Sequence, residues 1–331
     1  MSHDTQPQAF IPTTESFPLF SRPASDATFS LQVAELALLL LTIFWGSTFL
    51  VTKRLLETTS PGIFLSLRFA LAALTLAIVW RLARPKLTPG IVRDGIRLGS
   101  ALAGGFVLQT IGLRYTSPTR SGFLTGLTVL FVPLVARFGL GKPVARAVWV
   151  GATLAIVGLA VMTRPWSYAS GGAAGTAVLV GDALTVGCAI AFAAHITWTS
   201  EWAHRHPIAP FLFVQVALVT IVSLVLTVVW AAFEAPRVSP PAQLAAVVAY
   251  TGALMTAGAI FLQMWAQRHT TAVRAALIFA CEPVFAAAFA AWVGGDRIAL
   301  AEWVGGGIIL AGVVFGELAS SDRGSPASCA R

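Results

Sequence analysis

Ten apolar runs, each about the 20 residues a helix needs to cross a hydrocarbon layer, fill almost the whole chain. They cover Leu36 to Leu56, Pro61 to Trp80, Ile96 to Leu113, Gly122 to Leu140, Ala145 to Met162, Ala177 to Thr199, Pro210 to Phe233, Ala242 to Ala266, Val273 to Val293 and Ala299 to Phe315. The connections are short and leave no room for a soluble domain. Of the 331 residues 56% are hydrophobic and only 11% charged, against about a quarter charged in a soluble domain. The expected fold class is an all-α polytopic membrane protein with ten transmembrane helices. Residues 1–34, polar and proline-bearing, read as a disordered tail, and residues 318–331 as a second tail.

An even number of spans puts both termini on one side. Fourteen Lys and Arg fall on that side and seven on the other, with Arg68 inside the second run and in neither set. Positive charge favours the cytoplasm, so both tails are expected there. The net charge of +8 is scattered singly between spans rather than gathered on a face, so no nucleic-acid partner is expected. An Arg-rich, Asn-free composition fits a GC-rich bacterial genome, and hence a bacterial inner (plasma) membrane.

The chain repeats itself. An offset of 154 aligns Leu108-Gln109 with Leu262-Gln263, Arg114 with Arg268, Thr116 with Thr270, Arg120 with Arg274, and Trp149-Val150-Gly151 with Trp303-Val304-Gly305. Upstream, an offset of 147 aligns Phe64-Leu65 with Phe211-Leu212, Trp45 with Phe192 and Thr48 with His195. Two five-span halves follow, at 35–163 and 177–317. Because five is odd, the second half enters the membrane inverted, the symmetry of alternating-access transporters.

The segment "FWGSTFLVTK" of span one, the proline-bearing fourth and ninth spans, the turn and tenth span "WVGGDRIALAEWVGGGIILAG", and the duplication itself resemble the EamA-type family of the drug/metabolite transporter superfamily. The resemblance covers Glu35 to Glu317. It implies two inverted five-helix repeats, cytoplasmic termini, a cavity lined by helices one, three, four, six, eight and nine, and export of amino acids, sugars, nucleosides or related metabolites. Two positions depart from the family pattern: Lys142 where an acid is frequent, and Phe192 where Trp is common.

Polar residues at mid-depth are the candidate site. Glu282 is the acid nearest the centre of any span and precedes Pro283. It reads either as a cavity carboxylate that binds a cationic or zwitterionic group or exchanges a proton, or as a protonated carboxyl bonded to the Phe279 carbonyl that Pro283 leaves free. His195 shares a helical face with Trp198 and Thr199 and is a ligand, a proton carrier or a helix-to-helix hydrogen bond. Trp45, Thr48, Gln109 and Gln263 complete the set, the glutamines alternatively serving as interhelical hydrogen bonds. Arg68 reads as snorkelling to the rim or pairing with an acid there, and Asp182 and Glu35 as acids at helix starts.

Other functions lack their signatures. "GLGKPV" at Gly139 has neither the spacing nor the Ser/Thr of a phosphate loop. Paired mid-span aspartates, a Gly-x-Ser-Gly nucleophile and His-Glu-x-x-His are missing, which argues against an intramembrane enzyme. Cys188, Cys281 and Cys329 show no metal spacing, and no cofactor is expected. The reading is a secondary transporter with a small-molecule substrate and the lipid bilayer as expected partners, either monomer or homodimer. A metabolite exporter is expected, an importer or multidrug-type exporter being the alternatives, with a scaffold or intramembrane enzyme outside that class. Glu282 and His195 are the candidate coupling groups.

Overall fold

The structure is a computed structural model that describes residues 24–141, 146–164, 172–270 and 272–321. Among these residues helices cross the molecule ten times. Span one is Ala24–Leu56, span two Pro61–Ala83 and span three Ile91–Tyr115. Span four is built of Pro118–Gly126 and Thr128–Leu140, and span five is Arg146–Thr163. The second half begins with Gly172–Trp202 and Ile208–Ala231 as spans six and seven. Span eight is Pro241–Val248, a π-helical stretch Ala249–Gly258 and Ala259–Ala266. Span nine is Ala272–Phe279 and Glu282–Trp292, and span ten is Leu300–Ser321. Spans one and ten reach into the expected tails, most of which lies outside the described residues, as does Lys142.

Among the described residues, seven of the passes are long and apolar enough on their own to cross a membrane. Their outward faces are apolar as well: Leu74, Ile78, Leu82, Ile221 and Val228 are all more than half exposed. A water-soluble helix would carry charge there, so the surface is dressed for lipid.

Packing follows the repeat. Span five lies along span ten, span two along span seven, and span four against span nine, so three pairs of equivalent helices touch each other. Further contacts come in matched sets: three with six and eight with one, two with eight and seven with three, four with six and nine with one. A pseudo-two-fold axis between two inverted five-helix halves produces this pattern. The close crossings use glycine. A Cβ on Gly158 would lie 2.7 Å from the Gly305 carbonyl oxygen, and one on Gly126 would lie 2.7 Å from Cγ of Pro283.

Two buried charges sit differently from expectation. Span four starts at Pro118, capped by Ser117 Oγ accepting from the Arg120 N–H, so Arg120 belongs to the span and not to a loop. Its guanidinium pairs with Asp182 of span six, which also accepts from Thr116 Oγ1 at 2.9 Å. Asp182 is therefore a buried partner between halves rather than an interfacial helix-start acid.

Candidate functional site

A cavity lies where spans one, three, four, six, eight and nine converge, with one residue of span two reaching in. Trp45, Thr48, Gln109, His195, Gln263 and Glu282, the six residues selected from sequence, all line it. The repeat register explains their meeting. Trp45 and Phe192, Thr48 and His195, Phe106 and Ile260, Gln109 and Gln263, Thr125 and Phe279, and Thr128 and Glu282 are equivalent pairs, and every member faces this cavity. A space lined by equivalent positions of both halves lies on the pseudo-two-fold axis.

Glu282 opens the second segment of span nine. The helix stops at Phe279, turns through Ala280 and Cys281, and restarts with Pro283 in its first turn, where a missing N–H leaves no helical bond unmade. The proline ring rests on Gly126 of span four, which fixes where Glu282 emerges. Among the described residues no hydrogen bond or ion pair engages its carboxyl, so the alternative bond to the Phe279 carbonyl is not made. The equivalent break in span four falls at Leu127, beside Thr128, whose hydroxyl donates to the Ala189 carbonyl at 3.2 Å.

The other five are anchored. Trp45 donates from Nε1 to the Met255 carbonyl at 3.1 Å and its ring centroid lies 5.5 Å from that of Phe279. Thr48 donates back to the Trp45 carbonyl. Gln109 donates to Thr125 Oγ1 at 3.3 Å, and Gln263 to Gln267 Oε1 at 3.3 Å, which continues to Ser200. His195 Nε2 lies 3.0 Å from Gln215 Oε1 of span seven, while the Gln215 amide donates to the Phe211 carbonyl. The oxygen of Gln215 is thus an acceptor and Nε2 of His195 carries a proton, leaving Nδ1 free of protein partners among the described residues. The helix-to-helix bond and a cavity-facing ring coexist in this histidine.

Arg68 corrects the sequence reading. It is 4% exposed, lines the cavity, and neither snorkels to a rim nor pairs with an acid. A lone arginine within an apolar run was the available signal. Thr125 and Thr128 were missed too, although Thr128 was legible as the repeat equivalent of Glu282.

Each end of the molecule is clamped by one of two equivalent arginines. At the end carrying the loops after spans one, three, seven and nine, Arg114 forks onto Glu234 at 2.7 and 2.8 Å, and Lys53 donates to the carbonyls of Leu113 and Arg114. The hydrogen bonds from Arg114, joined by Trp230 Nε1–H at 2.9 Å, pull the Glu234 carboxyl down to about 2. At the opposite end Arg268 donates to the carbonyls of Ala203 and His206, and His206 contacts Asp94 of span three at 3.2 Å. A polar mouth lined by Lys53, Arg54, Glu57, Asp296 and Arg297 opens beside the Arg114 clamp.

A profile of the EamA-like transporter family matches residues 32–164 and again residues 179–316. The chain belongs to the EamA-like transporter family. An uncharacterized transporter of Archaeoglobus fulgidus is 29% identical over 285 residues, covering 86% of each chain. A solved crystal structure aligns over 89% of this chain and 99% of its own with a TM-score of 0.62 at 17% identity, a likeness of fold. This EamA-like protein is therefore a multi-pass membrane transporter, with a small-molecule substrate and a lipid surround.

Proposed function

We propose that this EamA-like protein is a secondary exporter of a small metabolite, an amino acid or related compound, in a bacterial inner membrane, with both termini cytoplasmic. Halves 35–163 and 177–317 rock about the central cavity in alternating access, and Trp45, Thr48, Gln109, His195, Gln263 and Glu282 contact substrate. The observation that carries this reading is a cavity on the repeat axis containing a carboxylate with no protein partner.

Coupling follows from competition. A carboxyl that holds either a proton or a cationic substrate group, never both, exchanges one for the other as the cavity faces each side in turn. Glu282 fills that role, and Nδ1 of His195 supplies a second proton acceptor at the same wall. Inward proton flow then drives outward movement of substrate.

The test is transport by the purified protein in proteoliposomes under an imposed pH gradient. Wild type accumulates substrate with the gradient. Glu282→Gln, which keeps shape but cannot ionise, is expected to insert normally and lose gradient-driven accumulation. Wild-type accumulation by that variant between pH 5 and 8 would remove the carboxyl from coupling. Reporter fusions at Ser30 and Ser320 are both expected to report cytoplasm.

A further inference from the structure

Arg68 is held in the cavity wall with its charge unanswered. Its backbone is pinned where spans two and eight cross, because a Cβ on Gly252 would meet the Arg68 carbonyl oxygen at 2.6 Å. The π-helical stretch sets the other contact: Thr256 donates to the carbonyl of Thr251, five residues back, and accepts from Arg68 Nε at 2.9 Å. Three rings surround the guanidinium, with its carbon 4.6 Å from the centroid of Phe106, 5.5 Å from Phe69 and 5.9 Å from Phe64.

These contacts orient Arg68 without neutralising it. Nη1 and Nη2 bond no described residue, and no carboxylate forms an ion pair with it. Aromatic faces offset only part of the desolvation of a buried cation, which elsewhere is met by a paired anion. What remains free is the end-on fork of two nitrogens, the arrangement that receives a carboxylate bidentately. The other charged lining residue, Glu282, comes from the opposite half and makes no ion pair with Arg68.

We propose that Arg68 is the carboxylate-recognising residue of the transporter. The substrate is then an amphipathic organic acid: its carboxylate sits on Nη1 and Nη2 of Arg68, and its apolar body lies against Phe106, Phe192 and Trp45. Where it is a zwitterion, its ammonium group faces Glu282. This specificity rests on the transport reading above and deepens it.

Three probes sharing one apolar body test it on the full chain: L-phenylalanine, 3-phenylpropionate and 2-phenylethylamine. Binding is followed by thermal stabilisation of purified protein, and movement by flux in proteoliposomes. Wild type is expected to bind both carboxylate probes more tightly than the amine. Arg68→Gln, which installs the residue found at the equivalent position 215, weakens the carboxylate probes by roughly tenfold to a hundredfold and leaves the amine unchanged. Arg68→Lys, which keeps charge but not the fork, gives the same ratio at smaller size and serves if the glutamine variant fails to insert. Equal losses for all three probes would make Arg68 a structural cation and overturn the proposal. So would wild-type preference for the amine, although flux of the amine leaves the transport reading standing. If wild type moves neither these probes nor any member of a mixed amino-acid, nucleoside and sugar pool, the transport reading fails and takes this inference with it.

Discussion

At cavity positions 48, 68 and 128 the first half carries threonine, arginine and threonine; the equivalents in the second half are His195, Gln215 and Glu282. His195 and Gln215 bond to each other, whereas Thr48 turns back to its own helix and Arg68 reaches across to span eight. Other charges recur in register in the two halves. Arg114 and Arg268, Arg120 and Arg274, and Glu35 and Asp182 are equivalent pairs. Charges that both halves share support the scaffold, which must close at either end by related contacts. Arg68 and Glu282, each unique to one half, line the cavity, and on the proposal above they meet the two ends of the substrate.

That division is open to test by striking one charge of each kind. Asp182→Leu removes a shared charge and takes from buried Arg120 its closest carboxylate, leaving Glu302 at 3.9 Å and the Met162 carbonyl among its partners. Breaking a buried pair on one side costs about 3–5 kcal/mol, and Glu302 places the expected loss near about 3. Thermal unfolding in detergent reads it. A variant as stable as wild type would end the claim that shared charges are structural.

Glu282→Thr makes the opposite change by installing the residue of the equivalent position 128. Transport is expected to fall roughly a hundredfold, the size of one lost charged hydrogen bond. Stability holds within about 1 kcal/mol, since this half-buried carboxyl makes no hydrogen bond or ion pair for the change to break. Equal damage to folding and flux would show that Glu282 belongs with the scaffold charges.

The effect of Gly126→Ala is smaller. Its equivalent in the second half is Ala280, and the difference follows from Pro283, whose ring leaves no space for a Cβ on Gly126. Overpacking there costs about 1–2 kcal/mol and displaces Glu282, so a reduced flux is expected beside a modest drop in unfolding temperature. Unchanged flux would mean that the seat of Pro283 does not set the carboxyl's position.

The sequence disclosed the helical passes because each needs an apolar run, and the two halves because Gln, Arg and Trp recur at fixed offsets. It disclosed six cavity residues because a polar side chain at mid-depth needs a reason. What it withheld depends on direction and backbone geometry. Arg68 looked like a snorkelling side chain since its orientation is set by Gly252 and Thr256, far along the chain and joined by a π-helical stretch that leaves no period in the pattern. The proline of span four, Pro133, lies inside a continuous helix, and the break falls at Leu127 instead. Asp182 reads as a helix-start acid from sequence because its partner, Arg120, falls between two apolar runs.

The smallest expected effect separates the two clamps. Arg268 holds backbone carbonyls, which do not titrate, whereas Arg114 holds the carboxylate of Glu234. With a folded value of about 2, below the roughly 4.3 of a free Glu, this carboxylate contributes stability that is present above about pH 4.3. That contribution is lost as pH falls toward 2. Glu234 is expected to contribute no change between pH 8 and 5, and to loosen the Arg114 end under stronger acid. Because Trp230 donates to Glu234, the difference in fluorescence between wild type and Trp230→Phe reports the event locally. Glu234→Gln is expected to flatten that acid transition, and the total shift in unfolding temperature stays small because solvent screens a partly exposed pair. An unchanged transition in Glu234→Gln would assign the acid response to another group and leave the two clamps equivalent in chemistry as well as in position.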